Sequence, residues 1–107
     1  MNGKIPILAA ILIFVLPATA PAGDIEAGRE KSKTCAACHG AVGISPNTSW
    51  PNLANQQVAY LVKQMKAFRD GERSDPWMSP MAKSLTDEDI EDLAAFYNSL
   101  PVRDAYQ

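Results

Sequence analysis

The stretch Cys35-Ala36-Ala37-Cys38-His39 decides how this 107-residue chain is read. Two cysteines three positions apart, followed at once by a histidine, form the attachment pattern for c-type haem. The chemistry requires that order. The two thiols add across the two vinyl groups of the porphyrin, and the short spacer sets their separation. His39, placed beside the second bond, is then delivered to the iron as the proximal ligand. The chain has two cysteines and one histidine, and all three lie in this motif.

Two other uses of the motif fare worse. A redox dithiol is expected beside a βαβ pattern, and no alternation of apolar and polar residues suggests a strand. A structural zinc site needs four ligands, and the chain offers three Cys or His side chains.

The residues before the motif divide in two. Lys4 forms a thin positive region, Ile5 to Leu16 is apolar apart from Pro6, and Pro17 breaks the run. Ala18-Thr19-Ala20 and Ala20-Pro21-Ala22 both have the small residues of a cleavage site, as in a secretory signal peptide. Cleavage after Ala22 is preferred, because a cut after Ala20 leaves Pro21 next to the scissile bond. The apolar run is short of the ~20 residues that span a bilayer, so stable membrane insertion is not expected. The expected organisation is a signal peptide over 1–22 and a single domain over 23–107. So small a domain needs a staple, and a covalently held haem supplies one. Haem attachment after export places the protein in the periplasm.

Residues 23–107 carry nine basic and twelve acidic side chains with no basic block, which argues against a nucleic-acid partner. Asp87, Glu88, Asp89, Glu91 and Asp92 cluster near the C-terminus and read as a solvated helix face. Asn47-Thr48-Ser49 matches a glycosylation site by chance.

Three helices are expected. The first starts at Asp24, a good N-cap, and runs into Cys35. Gly28 inside it costs about 1 kcal/mol relative to alanine and implies close approach by another element. The second is capped by Asn55 and covers about Gln56 to Asp70, with Val58, Leu61, Val62, Met65 and Phe68 on one apolar face and Gly71 at its end. Met65 belongs to that face rather than to a metal. Tyr60 is a candidate contact for a haem propionate. The third starts at Thr86, with Asp89 completing a capping box. Ile90, Leu93, Ala94, Tyr97 and Leu100 share its inner face, Phe96 lies at the edge, and Pro101 ends it. Between the last two helices, Arg73 to Ser84 reads as a loop containing Trp77-Met78-Ser79-Pro80-Met81. Two methionines three apart, beside a tryptophan and prolines, invite a thioether ligand to the haem iron. Trp77 is expected to pack, and Met81 to fill space near the haem.

The haem motif, Trp50-Pro51-Asn52-Leu53-Ala54, Met78-Ser79-Pro80-Met81 and Asp87-Glu88-Asp89-Ile90…Leu93-Ala94-Ala95-Phe96-Tyr97 together resemble the class I c-type cytochromes. The likeness is to small bacterial monohaem forms and to each half of the tandem dihaem forms. It implies an all-α fold wrapped around one covalent haem c. It also implies that Pro51 lends its carbonyl to the second ring nitrogen of His39. By the family's spacing to Thr86 the distal ligand is Met78, with Met81 as the alternative. The first and last helices should cross, Gly28 meeting Phe96 or Tyr97.

An iron with both axial positions filled has none left for substrate. The expected function is therefore one-electron transfer without a small-molecule substrate, and not enzymatic turnover. Expected partners are redox proteins: a quinol-oxidising complex, a terminal oxidase or a periplasmic dehydrogenase. Lys33, Lys63, Lys66 and Lys83 are candidates for docking them. The alternative is a haem subunit of a larger oxidoreductase, such as a flavocytochrome sulfide dehydrogenase or an alcohol dehydrogenase. A gas-binding haem protein with an open position is disfavoured by the methionine segment.

Overall fold

Asp24 stands in an extended conformation, and its carboxylate accepts the N–H of Ala27, which opens helix α1 (Ile25–Lys31). The computed structural model describes residues 1–17 and 23–102. After α1 come a 3-10 turn (Ser32–Thr34), α2 (Ala36–His39), α3 (Val58–Asp70), α4 (Met78–Ala82) and α5 (Asp87–Ser99). No strand occurs among the described residues, so the all-α expectation holds, with α1, α3 and α5 as the main helices. Residues 1–17 form no helix and are exposed. The cleavage sites at Ala20 and Ala22 lie outside the described residues. No helix among the described residues is long and apolar enough to cross a membrane.

Three expected boundaries move, each for a local reason. The first helix stops at Lys31 because Ser32 Oγ and Thr34 Oγ1 turn back to the carbonyls of Arg29 and Lys31, which tightens the chain ahead of the cysteines. Asn55 is not a cap. It sits at φ 59 in the left-handed region, which asparagine tolerates, and its N–H donates to the Tyr97 carbonyl at 2.9 Å. The helix then starts at Val58, which is exposed and outside the apolar face. The Arg73–Ser84 segment contains a helical turn, α4. Pro80 fits its first turn because the N–H it lacks has no intrahelical partner there.

The core is built on α5. Its Leu93, Ala94, Phe96 and Tyr97 are buried with Leu61 of α3, and Cys35, Leu53, Val62, Met65, Leu85 and Leu100 pack around them. Each large aliphatic or aromatic side chain there stabilises by roughly 2–3 kcal/mol. The capping box forms as expected: Thr86 Oγ1 accepts from Asp89 N–H at 3.0 Å, and Asp89 Oδ2 from Thr86 N–H at 2.9 Å. Arg69 joins the end of α3 to the start of α5 through Asp87 and the Leu85 carbonyl.

α1 crosses α5 at Gly28. A Cβ there would strike the backbone carbonyl oxygen of Asp92 and lie 2.7 Å from Phe96 Cβ. Phe96 is therefore the aromatic that Gly28 meets. Asp92 corrects the reading of the acidic cluster as a solvated face. It is 4% exposed, accepts the Asp24 N–H at 2.7 Å on Oδ1 and binds Lys31 Nζ at 2.6 Å through Oδ2. Lys31 also reaches Asp89 at 3.0 Å. A buried carboxylate persists only when paired in this way. Lys31 above all, and then the Asp24 N–H, hold the Asp92 carboxyl below the usual carboxylate range.

Two outcomes follow. Gly28→Ala should lower stability by about 1–3 kcal/mol even though alanine favours helix, and calorimetry showing no loss would remove the close-approach account. Because the folded-state pKa of Asp92 lies below its unfolded value, its stabilisation is present near neutral pH and fades as pH falls through the folded value. Asp92→Asn should accordingly lower the melting temperature at pH 7 and lose less further stability than wild type under acid. Parallel melting-temperature curves for the two proteins would contradict this.

Candidate haem site

The cysteines and the histidine share one tight turn. Cys35 is the residue before α2, Cys38 lies within it, and His39 is its last residue. Cys35 carbonyl accepts from both Cys38 N–H and His39 N–H, so backbone bonds hold the three residues in one turn. Gly40 ends the turn at φ 79, where a Cβ would collide with the Ile44 carbonyl.

His39 is 5% exposed. Its Nδ1 lies 2.8 Å from the Pro51 carbonyl oxygen. A carbonyl only accepts, so Nδ1 carries a proton, and in the neutral ring the lone pair is on Nε2. Such a bond fixes ring orientation and raises basicity towards a metal. The intervening loop is pinned at its base, where the Gly43 carbonyl accepts from Leu53 N–H at 2.8 Å and from Ala54 N–H at 3.0 Å.

The residues present fit a covalently attached haem. Both thiols are free and half-buried, and the free nitrogen of His39 belongs to the same turn. No group of three or more His, Cys, Asp or Glu side chains is placed to hold a metal ion among the described residues, so the zinc alternative gains nothing. The Tyr97 hydroxyl is buried without a hydrogen-bond partner. Burial, together with the neighbouring Cys35 thiol, pushes its ionisation above the usual tyrosine range. A buried hydroxyl beside one attachment cysteine is thus a polar group for which the chain itself supplies no partner.

Met78 opens α4 and is half-buried, whereas Met81 is 46% exposed and Trp77 65% exposed. Trp77 is thus exposed among the described residues rather than packed as expected. Met65 packs against the core cluster as expected. Tyr60 is exposed. Lys33 is tied to Glu30 in an exposed ion pair, while Lys63, Lys66 and Lys83 enter no ion pair among the described residues. The sequence reading did not pick out Asp75, which bonds the backbone around Met78. Its signal was an aspartate three residues before a helical turn.

The family described as cytochrome c matches residues 25–101. This chain belongs to the cytochrome c family. It is 48% identical over 81 residues to cytochrome c-554(548) of Halomonas halodenitrificans, covering 73% of this chain and 98% of that one. The crystal structure of reduced cytochrome c4 from Pseudomonas stutzeri superposes with a TM-score of 0.71 at 39% identity, over 75% of this chain and 47% of that one. A thiosulfate dehydrogenase electron acceptor of Thiomonas intermedia is 38% identical over 95 residues, covering 88% of this chain and 43% of that one. The chain thus spans nearly all of the first relative and less than half of the other two. With one attachment motif, it is a cytochrome c that carries covalent haem c and transfers electrons; it is not an enzyme.

Proposed function

We propose that the chain is a periplasmic shuttle that passes single electrons between redox proteins. Cys35 and Cys38 hold the haem as thioethers, His39 is the proximal ligand, Met78 is the distal ligand and Pro51 orients the imidazole. The supporting observation is the His39–Pro51 bond, which commits Nδ1 of a buried ring and leaves Nε2 as the ring nitrogen for a metal. The half-buried Met78 beside an exposed Met81 supports the choice between the methionines. When bound, the haem supplies a ferric/ferrous one-electron couple whose potential a His/Met ligand pair raises.

The chain's own residues do the rest. The thioethers keep the group from dissociating. His39 is held in one orientation by Pro51, and a methionine sulfur as the second ligand would leave the iron no site for substrate. A signal peptide over 1–22, with the cytochrome domain over 23–107, accords with the exposed, helix-free segment 1–17 and with a family match starting at residue 25.

The donor and acceptor are redox proteins. Among a quinol-oxidising complex, a terminal oxidase and a periplasmic dehydrogenase, the dehydrogenase is favoured by the likeness to a thiosulfate dehydrogenase electron acceptor. The same likeness favours a second reading, a haem subunit within a larger oxidoreductase. A purified protein that elutes as a monomer supports the shuttle, and co-elution with a larger redox chain supports the subunit.

The ligand assignment separates two variants. Met78→Ala should lose the weak red iron–methionine band and bind carbon monoxide when reduced, whereas Met81→Ala should do neither. The reverse pattern would move the ligand to Met81.

A further inference from the structure

Met78 lies inside a bracket formed by two residues of its own segment. Asp75 Oδ1 accepts the backbone N–H groups of Trp77 and Met78, each at 2.8 Å. Asp75 N–H donates to Ser79 Oγ at 2.9 Å, and Ser79 N–H donates back to the Asp75 carbonyl at 3.1 Å. Both bracket residues are half-buried. Asp75 forms no ion pair among the described residues, so its carboxylate is committed to this backbone.

The turn needs that support. α4 has five residues and no cap from the side chain immediately before it. A helix so short does not hold itself in water. Methionine adds three rotatable side-chain bonds, so a sulfur is aimed reliably only from a backbone that is already fixed. An open turn would have to be ordered each time the sulfur bound, and that entropy would count against the internal ligand in competition with an external one.

We propose that Asp75 is a positioning residue for Met78: it fixes the backbone that presents the thioether and so sets how firmly the sulfur holds the distal position. This rests on the assignment of Met78 as the distal ligand. A cap serving the fold alone would lower the melting temperature without altering competition at the iron.

The test is an imidazole titration of the ferric, haem-loaded protein, followed through the red iron–methionine band. Wild type, Asp75→Ala, Asp75→Asn and Met78→Ala are compared. Asp75→Ala should bind imidazole about tenfold more tightly, as expected for loss of a helix cap. Asp75→Asn should restore the wild-type value, because its amide oxygen can accept the same two bonds. Should Asp75→Ala fail to fold, Ser79→Ala removes one arm of the bracket and should tighten imidazole binding about threefold. Unchanged affinity in the variant that folds, with the band absent from Met78→Ala, would overturn the positioning role. A band that persists in Met78→Ala would overturn the ligand assignment instead.

Discussion

The approach of α1 to α5 at Gly28 constrains everything downstream of it. No side chain fits between Gly28 and the Asp92 carbonyl, so the two backbones meet directly. Lys31 and the Asp24 N–H then converge on the buried Asp92 carboxylate from the two ends of α1. The helix that leads into Cys35 is thereby held at both ends against the best-buried helix of the fold. The attachment turn inherits its position from that crossing, and its first cysteine, Cys35, packs against the core rather than sitting on a free loop.

A second constraint acts on the other side of the motif. The loop from Gly40 to Leu53 is closed through the Gly43 carbonyl, and the closure brings Pro51 to His39. A buried imidazole with one nitrogen committed to a carbonyl has a single remaining direction in which to bind. The Met78 segment is organised differently, by local caps rather than by burial. The part of the site read as the proximal ligand thus rests on long-range packing, and the part read as the distal ligand rests on a short turn. Ligand exchange is expected on the side with the weaker support.

Much of this was legible in the chain because the signals are local. CxxCH carries its chemistry in five consecutive residues. Asp24 and the Thr86–Asp89 capping box act within one helical turn and appear where they were expected. Gly28 was legible because a helix glycine costs stability unless something needs the space. Asp92 was misread because its partners are far away: a carboxylate in a run of five acids looks solvated until the crossing brings Lys31 to it. Asn55 was misread because a residue good at capping is also good at φ > 0, and its bond to the Tyr97 carbonyl decided between the two. α4 was missed because the turn is only five residues long and Pro80 looks like a breaker, although Asp75 bonds the backbone at its start and Pro80 fits its first turn.

The account stands on a haem closed on both sides by residues of this chain. The most direct measurement is an optical spectrum of the haem-loaded protein, oxidised and reduced, with carbon monoxide added to the reduced form. The account predicts low-spin bands in both states, the weak red iron–methionine band in the oxidised state and no reaction with carbon monoxide. A high-spin spectrum with ready uptake of carbon monoxide would contradict it, and would mean an open iron and a different function.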